Sequence, residues 1–183
     1  MHDLTFEYSL ILNPQGRYYH ALRDRLSSAH EDMYYGGDAL HGAQFSRLST
    51  ETRRLLRLHP HAGRAIKHVF YPKWTSKGNY EQCRKRGLDG VPTGGFGGLL
   101  SITFHSEAAS RTFFDSLPIN EGPGLGTDFS LTCPYTVLAH FGGFEWAAKY
   151  VVEEGLVRMS VGSEGREDLL GRLKIAIEAA IQI

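Results

Sequence analysis

Leu156-Val157-Arg158-Met159-Ser160-Val161-Gly162-Ser163-Glu164 is the stretch on which the fold turns. It alternates from Leu156 to Val161, which predicts a strand with two unlike faces. Val157, Met159 and Val161 share one face; Leu156, Arg158 and Ser160 share the other. Gly162 ends the strand. Ser163 is then placed as a helix N-cap, with Glu164, Glu167 and Asp168 where a helix N-terminus favours negative charge. A guanidinium in mid-strand needs water, a carboxylate or a bound anion, because burying it unpaired is too costly. Its planar fork also fits a carboxylate bidentately, which a lysine cannot match. Two readings stay open from the strand alone: a structural salt bridge, which is the commoner, and an anchor for a substrate carboxylate.

Working outward, 183 residues suit one domain with room for an appended arm. Hydrophobic residues make up 42%, enough for a substantial core. No run approaches the ~20 apolar residues of a membrane helix. The first residues lack a basic leader and a small-residue cleavage site, so no secretory signal is expected. Lys+Arg and Asp+Glu balance at 20 each, which argues against nucleic acid or an anionic membrane as partner. Cys83 and Cys133 are far apart and form no CxxC pattern. That suits a reducing cytoplasm better than a disulfide framework.

Asn13-Pro14-Gln15-Gly16 is a turn signal. From Arg17 the spacing Leu22, Leu26, Ala29, Met33 predicts a helix stopped by Gly36-Gly37, and Asp38 caps a second running toward His59-Pro60. Ile66 to Tyr71 is expected as a short strand closed by Pro72, and a polar helix is placed around Asn79 to Arg86. Leu99 to Phe104 is β-rich and led by glycines, a clear strand. Ser106 caps the next helix, with Ala109, Phe113 and Leu117 in its apolar row. A loop over Asn120 to Gly126 and an extended segment from Thr127 to Thr132 follow. A helix carrying Phe144, Ala147, Ala148 and Val151 is expected, with Glu145 and Lys149 paired four apart and Gly155 as its stop. The last helix is expected from Glu164 to about Ala180. Strands alternating with helices on short loops imply an α+β domain, a small sheet covered by helices. The division read here is an N-terminal extension and helical arm over 1–60 and an α+β domain over 61–183.

Other signals are weaker. Gly94-Gly95-Phe96-Gly97-Gly98 invites a phosphate-loop reading, but a strand follows where a helix is needed, so a tight turn or bulge is expected. His59, His61 and His68 fit no standard metal spacing, and no metal is expected. Cys133 with His140 could be imagined as a nucleophile pair; a buried structural cysteine is the better reading. Trp74 is read as packing.

Several segments together resemble the cystathionine gamma-synthase-like family of pyridoxal-phosphate enzymes, in its fungal branch. The family's C-terminal domain carries a strand of the form L-[IV]-R-x-S-V-G-x-E, and Leu156 to Glu164 fits throughout. Gly97 to Phe104 is similar to its glycine-led strand, and Gly122 to Leu131 to the loop that usually reads S-L-G. Pro134 to His140 and His68 to Trp74 resemble the same branch. The resemblance runs in order over roughly residues 10 to 183.

It implies the C-terminal domain of a fold-type I pyridoxal-phosphate transferase or lyase of cysteine and methionine metabolism. Such an enzyme performs γ-replacement or elimination on an O-acylhomoserine-like amino acid. Arg158 would bind the substrate α-carboxylate, with Gly124 and Thr127 in the same substrate-binding group; Gly124 stands where a serine is usual. Members are more than twice as long, and their N-terminal part holds the cofactor phosphate loop and a Schiff-base lysine in an S-x-T-K setting. Lys67, Lys73, Lys77, Lys85, Lys149 and Lys174 have no such setting. No catalytic residue is therefore assigned. The resemblance implies pyridoxal 5'-phosphate as cofactor, not expected on this chain alone. The partners expected are an amino-acid substrate and either a homo-oligomer or a companion chain carrying the pyridoxal-phosphate domain. The alternative is a non-catalytic interaction or structural module.

Overall fold

The computed structural model of the chain describes residues 47–84, 86, 88–92, 95–123 and 129–183. The helix expected from Arg17, and the start of the one after Asp38, lie outside the described residues. Five strands form one sheet: β1 (Ile66–Phe70), β2 (Leu99–Phe104), β3 (Asn120–Glu121), β4 (Leu131–Pro134) and β5 (Val157–Ser160). Their order is β1-β2-β5-β4-β3, antiparallel except where β3 lies beside β4. The stretch from Leu156 to Glu164 thus supplies the middle strand.

The alternation works as its period requires. Val157 and Met159 are buried while Arg158 and Ser160 are half-buried on the opposite face. Val157 and Met159 join Leu100 and Ile102 of β2 in a core shared with two helices, α5 (Glu107–Ser116) and α8 (Arg166–Ala180). Phe113 of α5 and Leu169, Leu173 and Ile177 of α8 are fully buried. Each such side chain contributes about 1.5–3 kcal/mol over an exposed one. Ser106 caps α5 by accepting from the Ala109 N–H at 3.1 Å. Before the sheet, α1 (47–58 as described) sends Leu48 and Leu56 into the same core, and α2 (Ala62–Ala65) leads directly into β1.

After β1, Pro72 opens α3 (Pro72–Thr75), and α4 follows over Lys77–Cys83. Arg53 of α1 lies over the Trp74 ring at 4.1 Å, so Trp74 does pack, against a cation. The register of β1 on β2 slips between Ile66 and His68, a bulge at Lys67. Lys67 Nζ reaches Glu153 at 3.0 Å.

Three expectations are corrected. Of the extended segment placed at 127–132, residues 127 and 128 lie outside the described residues and β4 begins at Leu131, while the loop expected from Asn120 opens with β3. A helix not anticipated, α6 (Tyr135–His140), follows β4 at once; it buries only Thr136, so no apolar stripe announced it. The helix carrying Phe144 ends as α7 (Phe144–Ala148), short of the expected stop at Gly155. Val152 N–H bonds the Ala147 carbonyl and Val151 N–H that of Ala148. That is a Schellman closure, and its left-handed position is Val151, at φ 63°. Gly155 serves instead as a contact: Ser110 Oγ donates to its carbonyl at 2.7 Å, and a Cβ there would lie 3.3 Å from Ser110.

Candidate functional site

On β5 the Arg158 backbone stands between Ser101 of β2 and Cys133 of β4, in register with both. In antiparallel pairs, opposed residues project to the same side, so these three share the face away from α5 and α8. Besides the neighbouring Cys133 thiol, two contacts hold the guanidinium. Its Nη2 donates to the Pro123 carbonyl, and Cζ sits 4.2 Å above the Tyr135 ring. Nε is buried with no hydrogen-bond partner. No carboxylate among the described residues pairs with Arg158, whereas Arg84, Arg111, Arg166 and Arg172 all have acidic partners. A half-buried cation that no described carboxylate neutralises leaves capacity for an anion.

Cys133 is buried beside it as a free thiol. Burial pushes the thiol pKa up, and the Arg158 guanidinium pulls it partly back. A neutral, enclosed thiol is poorly suited to attack, which agrees with its structural reading.

The far end of the anchor stretch is a clasp. Gly162 N–H donates to Ser130 Oγ at 2.9 Å, and Ser130 Oγ donates to Glu164 Oε2 at 2.8 Å. Glu164 Oε1 also accepts from the Ser130 N–H. A Cβ on Gly162 would strike the Phe129 and Ser130 backbone, so only glycine allows this approach. Glu164 is therefore spent on Ser130, and α8 starts later than expected. Its N-cap is Gly165, not Ser163, with Glu167 and Asp168 in the first turn. One strand and turn thus hold Pro123 through Arg158 and Ser130 through Glu164. Gly124 and Thr127 lie outside the described residues.

Tyr135 is the site residue that sequence reasoning missed. Its place follows from register: Cys133 opposes Arg158, and Tyr135 lies two residues further on. From it a row of rings leads to the surface. His140 meets Tyr135 edge-on at 5.8 Å, Trp146 lies 5.9 Å from His140, and Tyr150 lies 4.9 Å from Trp146.

The other candidates resolve plainly. The segment 95–98 feeds β2, not a helix, and Gly97 adopts φ 75° while accepting from Tyr71 Oη at 2.8 Å. Among the described residues no group of three His, Cys, Asp or Glu side chains could hold a metal ion. No described helix is long and apolar enough to cross a membrane. As to pyridoxal phosphate, Lys67 is ion-paired with Glu153 and Lys73 lies 5.2 Å from the Trp74 ring. Both of these lysines are thus engaged by neighbours, Glu153 and Trp74.

No family model matches the chain. It is 44% identical over 194 aligned residues to the cystathionine gamma-synthase-like enzyme iboG2 of Amanita muscaria, covering 94% of this chain and 31% of that protein. It is 37% identical over 188 residues to cystathionine gamma-synthase of Saccharomyces cerevisiae, covering 94% and 29%. Among solved structures, cystathionine gamma-synthase of Xanthomonas oryzae in complex with cystathionine aligns with TM-score 0.57 and 28% identity, over 73% of this chain and 34% of that one. The chain spans about a third of the length of these relatives.

Proposed function

The chain belongs to the cystathionine gamma-synthase-like family, in its fungal branch, and corresponds to the C-terminal part of a member; from that premise we propose that it supplies the substrate-carboxylate anchor of a pyridoxal-phosphate enzyme of trans-sulfuration type. The reaction class is γ-replacement or elimination on an O-acylhomoserine-like amino acid, in the cytoplasm. Arg158 is the anchor. The carrying observation is its guanidinium, half-buried, held in place, and without an acidic partner among the described residues. Gly124 and Thr127 complete the substrate-binding group in this reading. The coenzyme, its lysine and the chemical step belong to another part of the assembly, in the same or a companion polypeptide.

The test is binding followed at the Arg158 Nε–Hε signal in the full chain by NMR. O-acetyl-L-homoserine is expected to shift it, its methyl ester is not, and Arg158→Lys should weaken binding about tenfold through loss of the planar fork. Equal binding of acid and ester, or unchanged affinity in Arg158→Lys, would overturn the assignment.

A second reading, a non-catalytic interaction module, draws on the exposed Leu138, Phe141, Trp146 and Tyr150 in and beside α6 and α7. The two separate on borohydride reduction after mixing with pyridoxal phosphate and the remaining family domain. A trapped lysine on that partner with restored turnover supports the enzyme reading; co-purification without turnover supports the module. A stoichiometric pyridoxyl-lysine on the isolated chain would refute the division of labour itself.

A further inference from the structure

Arg158 has its acid-binding capacity unmet, yet the guanidinium is oriented by something other than an acid. The contact is aromatic. Cζ lies 4.2 Å from the centre of the Tyr135 ring, on its face. The ring is itself held from two sides. Its backbone N–H donates to the Leu156 carbonyl at 3.0 Å, tying Tyr135 to the start of the strand that carries Arg158. Its ring meets His140 edge-on, with centroids 5.8 Å apart and planes at 81°. Tyr135 opens α6 directly after Pro134, so no flexible residue separates it from the register pair Cys133 and Arg158.

We propose that Tyr135 is the positioning residue of the Arg158 site. Its ring covers one face of the guanidinium and fixes the plane, so an anion meets the fork edge-on. An arginine on four rotatable bonds would otherwise spread over several orientations, only some of which offer two parallel donors. Pro123 takes one Nη2 hydrogen from the other direction. No described carboxylate pairs with the guanidinium, so its remaining donor capacity is open to an incoming carboxylate. The ring acts on the ligand only through Arg158. A phenyl group should therefore serve as well as a phenol: the quadrupole and the flat face matter, not the hydroxyl.

The inference rests on the carboxylate reading of Arg158 for its consequence but not for its geometry, and the experiment separates the two. In the free, full-length chain the Arg158 Nε–Hε proton should resonate upfield of other arginines through the ring current of Tyr135. Tyr135→Leu should return it to the ordinary position, and Tyr135→Phe should hold it upfield. On titration with O-acetyl-L-homoserine, Tyr135→Leu should bind about fivefold more weakly, with affinity rescued in Tyr135→Phe. Should the leucine variant not fold, Tyr135→Met, closer in length, carries the same comparison. An Arg158 signal at the ordinary position in the unaltered chain, or the same affinity in the leucine and unaltered chains, overturns the role of Tyr135. An upfield signal that depends on the ring yet ignores the amino acid sinks the carboxylate reading and leaves the positioning by Tyr135 standing.

Discussion

Val151 occupies a backbone conformation that β-branched residues avoid, and it does so to close the Schellman turn after α7. Its side chain is 79% exposed, so little packing offsets the strain. Val151→Gly should therefore raise stability by about 1 kcal/mol, read as a higher denaturant midpoint at unchanged slope; a loss of stability would mean the side chain makes a contact that matters. Cys133 makes a different prediction. Its thiol pKa is raised by burial, with Arg158 opposing. Folding therefore favours the protonated form: the contribution is full below the ordinary thiol pKa and is lost as pH rises through the raised one. At pH 8 a disulfide reagent should titrate the exposed Cys83 in the native chain and Cys133 only after unfolding. Fast reaction of both would contradict the burial. At this scale Arg158 was legible, because alternation alone marks a charge among apolar neighbours. Tyr135 was not, because its contact depends on a cross-strand register that no local pattern encodes.

Among the elements, the turn from β5 into α8 carries the most per residue. Gly162→Ala would drive a methyl into the Phe129 and Ser130 backbone and should cost about 2–3 kcal/mol. Glu164→Gln keeps the shape but replaces one acceptor oxygen with a donor, so either the Ser130 N–H or its hydroxyl loses its partner. A loss of about 1–2 kcal/mol in chemical denaturation is expected; no change would show that water substitutes freely. Elements with a clear period were readable: β2, β5, α5 and α8 stand close to where their apolar rows placed them. Short helices were not. Five- and six-residue helices such as α7 and α6 have too few turns to show a face, and their ends are set by tertiary contacts. The Ser163 cap failed for a related reason, since the neighbouring Glu164 is drawn to Ser130, beyond the reach of local rules.

For the whole molecule, the described surface is uneven. Leu138, Phe141, Trp146, Tyr150 and Val151 of the α6–α7 region are all more than half exposed. Beside them runs a groove of about 520 Å³ lined by Phe144, Ala148, Val152 and the Lys67–Glu153 pair. Apolar surface gathered in one place favours association. Sedimentation velocity should show concentration-dependent self-association, reduced in Trp146→Glu; a clean monomer at all concentrations would dismiss the patch as an interface.

The strand order has a bearing on biosynthesis. β2 and β4 never touch as partners; each pairs with β5, which leaves the ribosome after both. Until residues 157–160 are available, β2 and β4 each lack a partner along one edge, and a chain stopped between Pro134 and Val157 would keep those edges open to aggregation. Chaperone dependence during synthesis should therefore drop sharply once this late keystone has been translated.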